Sequence, residues 1–190
     1  KNLRNSNIKK FIFPKKCTFG HDTIKEFNKI TKKIDAVRRC PDIGFDCNRI
    51  AKEKLKHFVS KDALNIEGLG KKVIEKFWDL KLIKLPDDIF NLNFQTISRL
   101  EGWGPQSAEN LKNSINKSKK LKLDRFIYSL GIRHIGQENA KLISEFLGDY
   151  SNFIKLKDQK NIDDLSNIDG IGETQILSLK NFFKNKVNLK

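Results

Sequence analysis

Ile66-Glu67-Gly68-Leu69-Gly70 is a short stretch that this chain uses more than once. Leu100-Glu-Gly-Trp-Gly104 and Ile168-Asp-Gly-Ile-Gly172 repeat it, and Ile132-Arg-His-Ile-Gly136 is a looser copy with His134 in place of the first glycine. The last glycines stand at 70, 104, 136 and 172, so the spacings are 34, 32 and 36 residues. A self-similar period of this length marks a repeated supersecondary unit.

Two glycines flanking one apolar residue make a tight turn that uses positive φ and admits a neighbouring backbone. The central apolar residue (Leu69, Trp103, Ile135, Ile171) is expected to point inward and anchor the turn. Helix-forming residues follow each copy, and Pro105 suits the first turn of a helix. A glycine turn feeding a helix start offers free N–H groups and the positive end of the helix dipole, an anion site. One such turn is equally well a plain helix connection. Four copies, each ahead of a helical pattern, point to a helix-hairpin-helix array that grips nucleic-acid phosphates. The predicted contacts are Gly68, Gly70, Gly102, Gly104, Gly136, Gly170 and Gly172, with Lys71, Lys72, Gln106, Ser107, Arg133, Gln137 and Thr174 beside the turns. Such contacts position a duplex without reading its bases, so binding is expected to be sequence-independent and steeply salt-dependent.

Composition agrees with this. Of 190 residues, 38 are Lys or Arg and 23 are Asp or Glu, a net charge of +15. That excess favours a polyanionic partner, although Lys, Asn and Ile are all abundant, as AT-rich coding would produce for any function. No apolar run is long enough to span a membrane, and no signal peptide opens the chain. Three cysteines cannot pair completely, which favours a reducing cytoplasm over a disulfide framework. There is no Met, even at position 1, so the chain is expected to be a segment of a longer protein.

The expected fold is mainly α, with little β structure. Residues 1–16 read as the end of a preceding domain, 17–48 as a small cysteine module with a short strand over 34–39, and 49–190 as the helix-hairpin-helix domain. A module that small buries little core and calls for a metal staple. Cys40 and Cys47 form one knuckle, and Cys17 with His21 completes a Cys3His tetrahedron of the kind zinc takes. The competing reading is a lapsed site whose cysteines are buried apolar groups. A helix is expected over 48–60, a cap at Ser60 or Asp62, short helices at 87–92 and 96–100, and Asp124 as cap of 125–130. Leu142, Phe146 and Leu177 are expected on core-facing stripes.

Phe13-Pro-Lys-Lys-Cys17, the paired Cys40 and Cys47, Leu55-Lys-His-Phe-Val-Ser-Lys-Asp-Ala63 running into the first hairpin, Ala108-Glu-Asn-Leu111 and Arg125-Phe-Ile-Tyr-Ser-Leu-Gly-Ile-Arg-His-Ile-Gly136 together resemble bacterial NAD-dependent DNA ligase. The resemblance covers nearly the whole chain, and His134 is similar to what that family carries there. It implies a parent enzyme that seals nicks in duplex DNA, using NAD, Mg2+ and a structural zinc held by four cysteines. Gly20 stands where one of those cysteines would be. It also implies that this chain is the zinc-finger and hairpin portion, preceded by the last residues of an OB domain, with adenylation and BRCT domains elsewhere in the parent. Lys122-Leu-Asp-Arg125 is the nearest stretch to the nucleotidyl-lysine motif and lacks its glycine. No catalytic residue is therefore assigned. The alternatives are a stand-alone DNA-binding module of a repair or DNA-uptake complex, a single-hairpin glycosylase, and a protein-binding scaffold.

Overall fold

A computed structural model describes residues 12–28, 32–40, 45 and 47–189. They fall into two compact units divided between Ile43 and Gly44. Most of the segment read as the end of a preceding domain, residues 1–11, lies outside the described residues.

The first unit holds a two-stranded antiparallel ribbon, β1 (Phe27–Asn28) and β2 (Lys33–Ile34), with Phe27 opposite Ile34. Isolated bridges join Lys16 to Asp22 and Ile24 to Arg39. The strand expected over 34–39 is therefore shorter than its sequence pattern. A bend at Ala36 and Val37 interrupts the ladder before Arg39 rejoins it. Phe19, Phe27 and Ile34 are all exposed, so apolar burial contributes little here. Polar bonds take its place: the Arg38 guanidinium donates to the hydroxyl and carbonyl of Thr23, and the Thr23 hydroxyl donates to the Pro14 and Lys15 carbonyls.

The second unit is helical. α1 (Asn48–Phe58) buries Ala51, Leu55 and Phe58, a spacing of four and three that makes one helical face. α2 (Lys71–Asp79) follows the first hairpin and buries Ile74, Phe77 and Trp78. Lys56 of α1 reaches Glu75 of α2 at 2.7 Å and Glu53 at 2.9 Å, and these partners raise its pKa. A 3-10 turn (Pro86–Asn91) and α3 (Phe94–Ser98) lead into the second hairpin. α4 (Pro105–Ser118) begins at its proline and buries Ala108, Leu111 and Ile115.

α5 (Leu123–Ser129) enters the third hairpin and α6 (Gln137–Leu147) leaves it. Gly148 stops α6 at φ +76°, a conformation glycine reaches without strain. α7 (Tyr150–Lys155), α8 (Gln159–Asp163) and a 3-10 turn (Asp164–Asn167) lead to the fourth hairpin, and α9 (Glu173–Lys184) follows it.

Two apolar cores result. One gathers buried residues from Ala51 to Ile115 and the other from Leu123 to Phe183, with no residue common to both. Each buried Leu, Ile or Phe contributes about 1.5–3 kcal/mol.

Several local expectations are corrected. Neither Ser60 nor Asp62 caps a helix; the Ser60 carbonyl instead accepts from Ala63 and Asn65 in a turn. α5 starts two residues early with Lys122 at its N-cap, which places Asp124 in the first turn. Phe146 and Leu177 are exposed rather than core-facing: Leu147, next to Phe146, takes the inward position, and Leu179, two residues beyond Leu177 and on the other side of α9, does the same there. α7 has no counterpart in the sequence pattern and is capped by Asp149.

Candidate nucleic-acid interface

Each repeat folds into the same local object. The carbonyl of its first residue accepts from the amide of its fourth: Ile66 from Leu69 at 3.3 Å, Leu100 from Trp103 at 2.9 Å, Ile132 from Ile135 at 3.0 Å and Ile168 from Ile171 at 3.0 Å. The third residue of each turn has positive φ: Gly68 +92°, Gly102 +79°, His134 +64° and Gly170 +92°. That is the signature of a type II turn. Leu69, Ile135 and Ile171 are buried, and half-buried Trp103 lies 5.5 Å from the Phe77 ring, so all four central residues anchor their turns as expected.

The last glycine of each repeat is the N-cap of the following helix, with an extended backbone in all four copies. Its carbonyl accepts the first helical bond, from Ile74, Ala108, Ala140 and Ile176 respectively. The N–H groups of the helix's first turn are left without intrahelical acceptors. φ is negative at Gly70, Gly104 and Gly136, and a Cβ placed on any of them meets no atom within 4 Å. Neither backbone conformation nor packing within the chain requires glycine there.

The four copies differ in how they treat the glycine amide. Gly104 N–H donates to Ser107 Oγ at 2.9 Å, and Gly172 N–H donates to Gln175 Oε1 at 3.2 Å. Gly70 and Gly136 have no such partner among the described residues. Ser107 therefore caps its own hairpin, as does Gln175, which the sequence reading left out. The signal for both was a polar residue three positions after the N-cap. Lys71, Lys72, Gln106, Arg133 and Gln137 are exposed, and Thr174 is half-buried. Gln106 is tied to Asn110 at 2.9 Å.

Hairpins dock in pairs. The turn glycine Gly68 lies against Leu111 of α4, so the first hairpin rests on the helix that follows the second. In return, Lys76 of α2 donates to the Glu101 carbonyl at 2.6 Å. The third and fourth are coupled in the same way. Gly170 lies against Leu142 of α6, and His134 Nδ1 pairs with the Ser178 hydroxyl of α9 at 3.0 Å.

In the first unit, one ligand atom each from Cys17, His21 and Cys40 lie within 4.8 Å of one another. Cys40 Sγ and His21 Nδ1 are 3.8 Å apart, close to the ~3.5–3.8 Å that two ligands of one tetrahedral zinc show. Gly20, at φ +83°, closes the turn that brings His21 back toward Cys17, and Phe19 N–H donates to Cys17 Sγ. The donor set fits zinc as three of its ligands. Cys47 belongs to the second unit, where its thiol is buried at the N-cap of α1.

Comparisons with known proteins agree with this geometry. Residues 60–117 match the family model of the SAM-like helix-hairpin-helix tandem, and residues 125–190 match that of the helix-hairpin-helix motif. Among curated relatives, a DNA ligase of Pelagibacter ubique is 62% identical over 188 residues, 98% of this chain and 28% of the relative. A DNA ligase of Wolbachia pipientis is 41% identical over 98% of the chain, and one of Parvibaculum lavamentivorans is 40% identical over 95%. The chain thus spans little more than a quarter of the length of these relatives. With its hairpin pairs matched in turn by the two family models, it belongs with the bacterial DNA ligases, as a helix-hairpin-helix segment consistent with their C-terminal portion.

Proposed function

We propose that this chain is the part of a DNA ligase that holds duplex DNA, taking backbone phosphates on the amides of its glycine hairpins. The observation that carries this is the last glycine of each repeat. At Gly70, Gly104 and Gly136 the fold has room for a side chain and a φ that permits one, yet the chain places glycine there. A phosphate seated on the helix N-terminus supplies the missing reason: it needs the backbone bare. Gly68, Gly102 and Gly170 shape the turns, and Gly172 completes the set. Lys71, Lys72, Arg133, Gln137, Gln106 and Thr174 add side-chain contacts from beside the turns. Ser107 acts by holding its hairpin in shape.

The partner is nicked duplex DNA, bound without regard to sequence. The nick is sealed elsewhere in the parent, by a portion that uses NAD and Mg2+; no residue of this chain is proposed to bind either. Adenylation, OB and BRCT domains are the neighbouring parts, and the cytoplasm is the compartment. Cys17, His21 and Cys40 hold a structural zinc, whose binding supplies folding energy to a unit with little apolar core. Cys47 is the fourth residue of the sequence-derived set, and Cys47→Ser followed by metal analysis separates a ligand from a buried thiol.

The test is duplex binding by Gly70→Asp and Gly104→Asp. Both variants are expected to keep the circular dichroism of the parent chain, and to bind at least about tenfold more weakly, since a carboxylate then occupies the anion site. Unchanged affinity in both would remove the hairpins from the interface. Parent binding is expected to fall steeply with salt, as phosphate neutralisation requires.

A further inference from the structure

The two hairpin pairs are joined by a polar seam rather than by a shared core. Their apolar clusters have no residue in common, and the chain passes between them through residues 119–122, between the end of α4 and the start of α5. A cavity of about 460 Å³ lies along the seam, with Lys61, Asp62 and Asn65 on one side and Asp124, Arg125 and Gln137 on the other. Specific polar contacts cross it among the described residues.

His57 is the most developed of them. It sits in the last turn of α1, whose opposite face is held in the first core by Leu55 and Phe58. Its Nε2 is 2.8 Å from the Tyr128 carbonyl oxygen near the end of α5, an element held in the second core by Leu123 and Ile127. A carbonyl only accepts, so Nε2 carries the proton. The His57 ring also meets the Tyr128 ring edge-on, at 4.8 Å and 70°. Gly131 completes the seat. It has φ +60°, and a Cβ there would come within 3.2 Å of His57 Cδ2. A second strut runs in parallel, with the Arg125 guanidinium donating to the Lys61 carbonyl.

We propose that His57 and Arg125 are positioning residues: they set the angle between the two hairpin pairs so that both engage one duplex at once. The inference rests on the reading of the hairpins as phosphate grips. Locked pairs act as one bivalent binder, because the second pair meets DNA at the effective concentration fixed by the first. Unlocked pairs bind as two weak modules on a short tether.

The experiment measures affinity of the 190-residue chain for a ladder of duplex lengths. On duplexes long enough for both pairs, His57→Ala and Arg125→Ala are expected to lose at least about tenfold, with less than about twofold loss on the shortest duplexes that bind. His57→Gln, which can still donate to the Tyr128 carbonyl, is expected to recover most of the loss. Labels attached to α2 and α9 by a chemistry orthogonal to thiols should give a narrow distance distribution in the parent and a broad one in His57→Ala. If His57→Ala fails to fold, Arg125→Ala carries the test. Parent-like affinity on long duplexes in a folded variant, or an equal loss at every length, overturns the positioning role. If Gly70→Asp and Gly104→Asp bind as the parent does, the phosphate reading fails instead, and the label distances alone decide whether the struts lock the pairs.

Discussion

The first hairpin pair and the second build the same turn from different chemistry. In the first, Gly68 takes φ +92°, and since a Cβ there would meet Leu111 at an ordinary contact distance of 3.5 Å, it is the backbone conformation that calls for glycine. In the second, His134 takes φ +64° with a full side chain. A non-glycine residue pays roughly 1–2 kcal/mol for that conformation. The bond from Nδ1 to Ser178 offsets the strain, and the His134 backbone carbonyl accepts from Asn139 Nδ2 at 3.0 Å as that of any residue there could. What the hairpin requires is a left-handed residue at its third position. Glycine is one way to provide it, and a tethered histidine is another.

The strongest way to set the pairs against each other is through their cores. Ile74→Ala in the first and Ile143→Ala in the second, both fully buried, are each expected to cost about 2–5 kcal/mol. Because the two clusters share no residue, amide signals of the intact pair should persist in denaturant that has melted the other. Simultaneous loss of both sets of signals in either variant would show one cooperative core.

Next come the turns. Gly68→Ala is expected to destabilise by roughly 1–2 kcal/mol from its left-handed φ, whereas Gly70→Ala, extended and open, should cost under about 1 kcal/mol. Chemical denaturation of the two variants compares a turn glycine with a cap glycine directly, and equal losses would break the distinction. The matching test in the second pair is His134→Gly. It relieves strain and loses the Ser178 bond, terms of about 1 kcal/mol each, so stability should change little. His134→Ala keeps the strain and loses the bond, and should be the worse of the two. A His134→Gly variant that is strongly destabilised would show that the histidine side chain contributes more than its bond to Ser178.

The smallest expected difference is in acid. α3 in the first pair is capped by the neutral amide of Asn93, bonded to Thr96 N–H at 3.0 Å. α7 in the second is capped by Asp149, whose carboxyl is held below its usual value by bonds from Ser151 and then Asn152. A depressed carboxylate contributes stability above its unfolded pKa, near 4, and loses it as pH falls through the folded value. Asp149→Asn should therefore flatten the acid loss of the second pair below about pH 4. Acid titrations of parent and variant that superimpose would remove Asp149 from the acid response.

Much of this was legible in the chain itself. The turns, the inward anchors, Pro105 at a helix start and Gly148 at a helix end follow from residue types whose backbone preferences are local. The candidate phosphate set was read off the same local signal. Cys17, His21 and Cys40 were named from ligand chemistry, and the structure brings all three together. Where the reading erred, the competing force was tertiary. Phe146 and Leu177 fit helical periodicity, but each apolar face is narrower than its sequence stripe and Leu147 and Leu179 already fill it.

Sequence alone determined that there are four hairpins, that each is a tight turn feeding a helix, and that the chain resembles part of a DNA ligase. The hairpins live in short runs of residues, where φ preferences and spacing suffice, and the resemblance lives in longer blocks such as Arg125–Gly136. Tertiary structure alone decided that the hairpins dock in reciprocal pairs, that His134 is tolerated because Ser178 lies 44 residues away in sequence and 3.0 Å away in space, and that His57 finds its seat at Tyr128 and Gly131. Hydrogen bonds and close contacts of that range depend on where whole helices come to rest, and no local pattern of residues carries that information.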